Sequence, residues 1–502
     1  MQWIQLLNPK RFREKVTVKE AETDSRSQFK RDFDAVCNST IIRRLQDKAQ
    51  VFPLEEGDFS RTRLTHSIEV MSVAETLGEY AVEVIKEKSK TIEGQKFLCG
   101  DHSTEKITDI IGDIPCIMKT IALLHDMGNP PFGHLGEQII CDWFEENLGK
   151  IYLHFDKTIS ISSHNDTRDS LISKFNERKN EREHRDYEQD LYKYDGNAQL
   201  LRLITKLTYT VDEYGMNLTF PVIASLIKYP TYSSNIDEKV LSKKKMGILS
   251  SESDKYEQIK SELGLGDDNK NCRHPLTFLL EAADDISYLT ADFEDAFIKK
   301  VVTFEEIKNC VKDNGSYTKH INNFMKNGED QGLKGHRLER YVVHRLRVLI
   351  KGWLTNSVNI AFKDNYESIM RGEFEKELLE VCSDQNIVNN LRKLEKDNIY
   401  YSKEIIKNKI QASTVIKKLL DVYVPAAINW GESDKESDSE NNLLWLSMSG
   451  TYRRFCQKET ENNQFTSDRI YNKILLVLDQ ISGMTDTYAL NEYKVITATY
   501  GK

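Results

Sequence analysis

The chain has 502 residues, of which 70 are Lys or Arg and 79 are Asp or Glu, so its formal net charge is −9. An acidic chain is a poor match for a protein that coats nucleic acid, since phosphate binding needs a positive field. Hydrophobic residues make up 39% of the sequence and only 9 residues are Pro, which excludes disorder by composition and favours long helices.

Membrane and export signals are not found in this sequence. No run of about 18 uncharged apolar residues occurs, and the start of the chain has neither a basic n-region nor a small-residue cleavage site. The eight Cys residues are scattered without a CxxC pair, which argues against disulfides and against a thiolate zinc site. We therefore expect a cytoplasmic protein with no membrane partner.

Apolar residues recur at helical spacing along most of the chain. This spacing predicts a helix over about 64–84, a second that opens at Pro115 and ends before Pro130 and Pro131, a third over 136–147 and a fourth over 275–299. Only residues 300–303 suggest a short strand. The sequence therefore predicts an all-α fold.

Three segments have the composition of exposed connections. Residues 162–190 carry dense charge of both signs, residues 237–270 contain three consecutive lysines and a polar stretch, and residues 431–442 are acidic and rich in Ser. Such runs are typical of solvated surface. Because the first two lie between the motifs described below, each could also form a mobile lid.

Four residues form the strongest chemical pattern. His66 lies in RTRLTHSIEV, His125 and Asp126 lie in LLHDMGNPPFGH, and Asp284 lies in EAADDISY. Each of the three segments has apolar residues one helical turn away, so these side chains face a helical interior, where unpaired His and Asp are costly. Two imidazoles and two carboxylates suit Mg²⁺, Mn²⁺, Fe²⁺ or Zn²⁺. The alternative for any one of them is a hydrogen-bonded core residue.

Six short sequence motifs occur along the chain in the order RRLQDKAQVFPLE, RTRLTHSIEV, LLHDMGNPPFGHLGE, DGNAQ, EAADDISY and ISGMTD. Together they resemble the bacterial deoxyguanosinetriphosphate triphosphohydrolase family of the HD-domain phosphohydrolases. The resemblance implies a helical HD core with additional C-terminal helices. We expect residues 1–60 to pack on the core, 61–300 to form the HD core, and 301–502 to complete the core and an oligomer interface.

The resemblance also implies a reaction, the metal-dependent hydrolysis of dGTP to deoxyguanosine and inorganic triphosphate. His66, His125, Asp126 and Asp284 would be the metal ligands, with Mg²⁺ or Mn²⁺ as the ion. Asp285 is the alternative to Asp284, but it lies about 100° further around the helix. His134 and Glu137, which share a helix face, would be the acid–base pair. The alternative for His134 is a helix cap.

Further residues match positions that hold the substrate in that family. Arg61 and Arg63 could bind phosphate oxygens or form a buried salt bridge, and the sequence leaves both open. Lys245 is followed by Met246 where the family commonly has Pro, which weakens its assignment. The residues that the resemblance implies as substrate contacts are Gln50, Arg61, Arg63, Asn197, Lys228, Tyr229, Lys245, Tyr288 and Asp292.

Relatives of this family form hexamers and have been linked to single-stranded DNA, so we expect a homohexamer with dGTP as substrate and single-stranded DNA as a further partner. The resemblance thins between about 300 and 470, and the residues that read guanine are not placed. Two alternatives stay open, a triphosphohydrolase of broader nucleotide range and a catalytically idle HD module that binds nucleotide or single-stranded DNA.

Overall fold

The computed structural model describes residues 1–13, 24–50, 61–99, 110–155, 186–208, 214–267, 270–312, 315–399, 403–430, 439–462 and 466–500. Regular structure in these ranges is almost entirely helical, which confirms the all-α prediction. Among the described helices, none has the length and hydropathy that a bilayer span requires.

The helices before residue 300 include the four that the apolar spacing predicts, each longer than or close to its expected bounds. They are α1 Trp3–Leu6, α2 Gln28–Cys37, α3 Arg63–Lys88, α4 Ile92–Leu98, α5 Ile114–Leu124, α6 His134–Phe155, α7 Tyr187–Tyr192, α8 Gly196–Arg202, α9 Phe220–Leu226, α10 Ser253–Leu263 and α11 Pro275–Ile298.

The second half of the chain adds nine α-helices within the described residues. They are α12 Phe304–Val311, α13 Gly315–Asp330, α14 His336–Met370, α15 Gln385–Leu394, α16 Lys403–Asn429, α17 Glu440–Ser447, α18 Gly450–Asn462, α19 Thr466–Ser482 and α20 Asp486–Tyr500. Short 3₁₀ turns cover Ile42–Asp47, Ser233–Asn235, Leu241–Lys243, Ser250–Glu252 and Leu378–Glu380, and π turns cover Leu203–Leu207 and Glu395–Ile399.

Helix α3 begins at a capping box. The Thr62 hydroxyl accepts the Thr65 N–H, while the Thr62 N–H donates to the Thr65 hydroxyl, so two donors at the helix start are satisfied. The helix buries a stripe that includes His66, Val70 and Leu77 against α5 and α11. The predicted inward face of His66 is thereby confirmed.

Helix α11 is the central helix of this layer. It packs against α3, α9 and α14, and most of its side chains are buried. Its start is capped by His274, whose Nδ1 accepts the Leu276 N–H, and Pro275 occupies the first turn, where no N–H is needed. Asp284 lies midway along this helix.

The C-terminal helices pack against one another and against α6. Helix α16 contacts α6, α17, α19 and α20. The fully buried Arg202 of α8 binds Asp479 of α19 through two of its nitrogens and also pairs with Glu252 at 3.1 Å. The C-terminal part of the chain is therefore joined to the core by a buried ionic network.

Residues 300–303 do not form the expected strand. Lys300 adopts φ 60°, the Lys300 N–H donates to the Phe297 carbonyl, and the Val301 N–H donates to the Ala296 carbonyl. This is a Schellman turn that ends α11, so the apolar pair 301–302 follows a helix cap. The strands found instead are the antiparallel pair β1 Gly266–Asp267 and β2 Lys270–Asn271.

Two of the segments expected to be exposed contain packed structure. Within 237–270, α10 buries Tyr256 and Ile259. At the end of 162–190, α7 buries Asp190, which accepts hydrogen bonds from Ser233, Ser250 and Tyr471. The charge-rich residues 162–185 and the acidic residues 431–438 lie outside the described ranges.

We predict that Asp479→Asn lowers the free energy of unfolding by about 3 kcal/mol, because it leaves the buried Arg202 short of its main partner. The urea midpoint of unfolding measures the change. Asp34→Asn is the matched control, since Asp34 is in a partly exposed ion pair worth at most about 1 kcal/mol. Equal midpoint losses in the two variants would contradict the prediction.

Candidate functional site

The four predicted metal ligands meet where α3, the end of α5 and α11 converge. His66 Nε2 lies 3.0 Å from Asp284 Oδ1, and His125 Nε2 lies 3.3 Å from the same oxygen. His125 Nε2 is also 3.7 Å from Asp126 Oδ1. His66, His125 and Asp126 offer ligand atoms that all lie within 4.8 Å of one another, so this group could hold a metal ion.

The surroundings of His125 are those of a metal ligand. Its Nδ1 lies 2.7 Å from the Ala122 carbonyl, which only accepts, so Nδ1 carries a proton. Nε2 is buried without a hydrogen-bond partner and faces the carboxylates of Asp126 and Asp284. The His₂Asp₂ donor set around this nitrogen matches a divalent ion.

Two basic side chains partly neutralise the carboxylates. Arg63 donates to Asp126 at 2.6 Å, and Lys228 donates to Asp284 at 2.8 Å. Burial by itself would raise the pKa of Asp126, but the charges of Arg63, His125 and His66 together hold that pKa below its usual range. Lys228, together with His125 and His66, likewise holds the pKa of Asp284 below its usual range against the effect of burial. Asn129 donates a further hydrogen bond to Asp126 at 2.7 Å.

His134 and Glu137 form a hydrogen-bonded pair at the start of α6. His134 Nδ1 donates to Glu137 Oε2 at 2.7 Å, and the Gly196 N–H donates to Glu137 Oε1 at 2.8 Å. The hydrogen bond to Glu137 raises the pKa of His134. Glu137 is buried whereas 75% of the His134 side chain is exposed, so a fixed carboxylate orients an accessible imidazole.

The predicted contacts Lys245 and Asn197 share one carboxylate. Lys245 Nζ lies 3.3 Å from Asp195, and the Asn197 side-chain amide donates to Asp195 at 2.7 Å. Asp195 also caps α8 and precedes the glycine that binds Glu137, so these residues lie on the His134 side of the site. Tyr229 is buried, and burial raises the pKa of its hydroxyl.

Three further predicted substrate contacts are Gln50, just before the undescribed residues 51–60, and Tyr288 and Asp292, which both lie on α11. Tyr288 packs edge-on against His66, with ring centroids 5.9 Å apart, one turn beyond Asp284 on α11. Gln50 Oε1 and Asp292 Oδ2 are buried without a hydrogen-bond partner in the described part of the chain. Burial, and then the charge of Glu395, raise the pKa of Asp292.

Comparison with known proteins gives the family. The HD domain family matches residues 63–207. A deoxyguanosinetriphosphate triphosphohydrolase-like protein of Listeria monocytogenes is 35% identical over 497 residues, which cover 98% of this chain and 99% of the relative. A deoxyguanosinetriphosphate triphosphohydrolase of Klebsiella pneumoniae is 31% identical over 520 residues, with 97% of each chain covered.

This chain belongs to the deoxyguanosinetriphosphate triphosphohydrolase family. The resemblance carried by the six sequence motifs is thereby confirmed. The HD domain match includes His66, His125, Asp126 and His134. A hydrolase with a His and Asp metal-binding group follows from the family and the geometry.

Arg61, a predicted phosphate contact, is bound to carboxylates in this structure of the triphosphohydrolase-family chain. Its guanidinium pairs with Glu69 at 3.3 Å, with Glu294 at 2.6 Å and also with Asp295. These ion pairs join α3 to α11. Arg63 is likewise in a buried salt bridge, but its partner is Asp126, so it lies within the site. The phosphate contacts of both arginines stay predictions.

Sequence reasoning overlooked several residues that hold the site together. Three such residues, each bound to a site residue or its neighbour, are Asn129, Asp195 and Asp486. All three lie within the motifs that identify the family, and this position was the only sequence signal of their role. Lys48 also lies in one of these motifs, and only the fold reveals that its ammonium is buried.

We predict that His125→Ala or Asp284→Ala weakens Mn²⁺ binding more than about 100-fold, since even residues that merely support a ligand cost 10- to 100-fold. Mn²⁺ titration followed by electron paramagnetic resonance measures the affinity. Asp285→Asn is the matched control, because Asp285 pairs with Arg392 at 2.8 Å on another side of α11. A loss of Mn²⁺ in this control equal to that in Asp284→Ala would contradict the assignment.

Proposed function

We propose that this chain hydrolyses dGTP to deoxyguanosine and inorganic triphosphate, with Mg²⁺ or Mn²⁺ as its ion. The observation that carries the proposal is the exposed His134, oriented by Glu137, together with the group of His66, His125, Asp126 and Asp284, whose two histidines are buried. The printed names of relatives at 35% and 31% identity support dGTP as the substrate.

The reaction joins a water oxygen to the α-phosphorus and breaks the bond between that phosphorus and the 5′ oxygen. The leaving 5′ oxygen takes up a proton. A divalent ion bound at His66, His125, Asp126 and Asp284 would supply electrostatic stabilisation of the charge that develops on the phosphoryl oxygens. His134 is suited to donate the proton, because the hydrogen bond to Glu137 raises its pKa and so favours the protonated imidazole.

The triphosphate needs cations, and the site offers three. Lys228 is partly buried beside Asp284, Lys245 is about half exposed beside Asp195, and Arg63 is buried beside Asp126. Each cation pairs with a carboxylate, which keeps it charged. We propose that four residues contact the triphosphate, namely Lys228, Lys245, Asn197 and Tyr229. Arg63 would hold Asp126 in place through their salt bridge and would also contact the triphosphate.

We propose that Gln50, Tyr288 and Asp292 bind the deoxyribose. The two oxygens without partners on Gln50 and Asp292 are acceptors that a ligand hydroxyl would satisfy, and Tyr288 offers an aromatic face next to His66. A ribose 2′-hydroxyl would be excluded by this contact. Arg61 remains a proposed phosphate contact that would have to leave its carboxylate partners.

The assembly and setting belong to the same proposal. A homohexamer in the cytoplasm, with single-stranded DNA as an additional partner, is what the family resemblance supports. Domain limits at residues 60 and 300 are proposed on the same ground. Apolar side chains such as Ile68, Val348 and Ile360 are about half exposed on α3 and α14, which agrees with a further subunit covering these helices.

The deciding experiment is the hydrolysis of the four dNTPs and GTP, each with Mn²⁺, with products separated by ion-exchange chromatography. We predict triphosphate and deoxyguanosine from dGTP, and little product from GTP. Equal rates on all four dNTPs would favour the broader triphosphohydrolase. Release of pyrophosphate or of single phosphate would contradict the reaction, and no turnover of any nucleotide would favour an idle binding module.

We predict that His134→Ala lowers kcat by about 10²- to 10⁴-fold, the range for loss of a general acid or base, with Mn²⁺ binding retained. A general acid must be protonated, so the wild-type rate falls as pH rises through the pKa of His134. Glu137→Gln removes the carboxylate that raises this pKa, so the fall moves to lower pH. Initial rates as a function of pH measure both effects.

Gln138→Ala is the control for these variants, because Gln138 is an exposed neighbour that binds only Asp142 among the described residues. Its pH profile is expected to match that of the wild type. If His134→Ala turned over dGTP at the wild-type rate, proton transfer by His134 would be wrong. A Glu137→Gln profile unshifted or shifted to higher pH would contradict the role of Glu137.

A further inference from the structure

The loop between Asp126 and His134 carries two members of the site at its ends. Within it, Phe132 adopts φ 64° and Gly133 adopts φ 58°. Left-handed backbone is unfavourable for a bulky residue such as Phe132 and persists only where surrounding contacts impose it. A Cβ on Gly133 would lie 2.3 Å from Arg63 Nη2, so the loop is also seated tightly on the side chain that binds Asp126.

The contact that imposes this conformation comes from the far end of the sequence. Asp486, at the first residue of α20, is 2% exposed. Its Oδ1 accepts the Phe132 N–H at 2.9 Å, and its Oδ2 accepts the Ala49 N–H at 3.0 Å. One carboxylate thus binds the backbone two residues before His134 and the backbone directly before Gln50.

A second residue joins the same three segments. Lys48 Nζ donates to the Asn129 carbonyl at 2.6 Å and to the Ser482 carbonyl at 2.7 Å. The Arg63 N–H donates to the Lys48 carbonyl at 2.9 Å, which ties this unit to the start of α3. The segment at 48–50, the loop at 129–133 and the turn between α19 and α20 therefore form one hydrogen-bonded unit behind the site.

We propose that Asp486 is a positioning residue for this site, which sets the location of His134 through Phe132 and that of Gln50 through Ala49. The inference rests on the proposed function, in which His134 transfers a proton and Gln50 contacts the sugar. Asp486 touches neither substrate nor metal group. Its loss displaces the acid and the sugar contact together, while the metal-binding group keeps its own partners Arg63 and Lys228.

A purely structural role for Asp486 would give a different pattern of losses. Asp479 and Asp486 are both 2% exposed, and Asp479 also joins a C-terminal helix to the core, but through Arg202 and not through the loop before His134. Thr487, the next residue on α20, binds Asp47 at 2.8 Å on the surface. Asp479→Asn and Thr487→Ala are therefore matched controls, one for stability and one for the contact between α20 and the N-terminal part.

The test uses the full chain with Asp486→Ala, Asp486→Asn and the two controls. We expect Asp486→Ala to lower kcat for dGTP by about 10- to 100-fold, because a catalytic group is then misplaced. The ratio of kcat/KM for dGTP to kcat/KM for GTP should also fall. Mn²⁺ affinity should stay within about twofold of the wild type. Asp486→Asn should recover part of the rate, because its amide oxygen can still accept one of the two N–H groups.

Hydrogen exchange gives a readout that does not depend on turnover. Mass spectrometry should show faster amide exchange over residues 127–136 in Asp486→Ala and unchanged exchange there in Asp479→Asn and Thr487→Ala. Wild-type exchange over 127–136 in Asp486→Ala, or equal losses of kcat in Asp479→Asn assayed well below its melting temperature, would overturn the proposal. If the wild type hydrolyses no nucleotide, the proposed function fails, and the exchange result alone decides whether Asp486 holds the loop.

Discussion

The close grouping of two carboxylates and two imidazoles between helices is the constraint on which this structure depends. The carboxylates of Asp126 and Asp284, which are 14% and 19% exposed, need nearby positive charge to stay ionised. Arg63 and Lys228 supply part of it, and His125 Nε2 faces both carboxylates without a hydrogen-bond partner among the described residues. The arrangement therefore suits a divalent ion.

The helices around this group arise from ordinary local rules, but their relative placement is set by buried polar contacts. Thr62 and His274 cap the two helices that carry His66 and Asp284, and Arg202 fastens the C-terminal layer through Asp479. Such contacts are directional, unlike apolar packing. They therefore restrict how far each helix can slide or rotate relative to its neighbours.

The acid–base pair and the metal group differ in how they meet solvent, and this difference agrees with their chemistry. His134 is exposed, whereas Glu137 and the metal group are enclosed. A side chain that exchanges protons with a substrate must be accessible to that substrate. A side chain that orients the proton donor works best when it is buried and held by several hydrogen bonds. The Gly196 N–H and His134 together keep Glu137 charged inside the protein.

The sequence by itself determined the helical class, the inward face of His66 and the family, because helical spacing and short motifs are local properties. It also brought His134 and Glu137 together, since they are three residues apart. Only the tertiary structure decided that Arg61 is held by carboxylates of α11 and that Asp486 binds the backbone next to His134. Contacts across hundreds of residues depend on how helices pack, which no local pattern encodes.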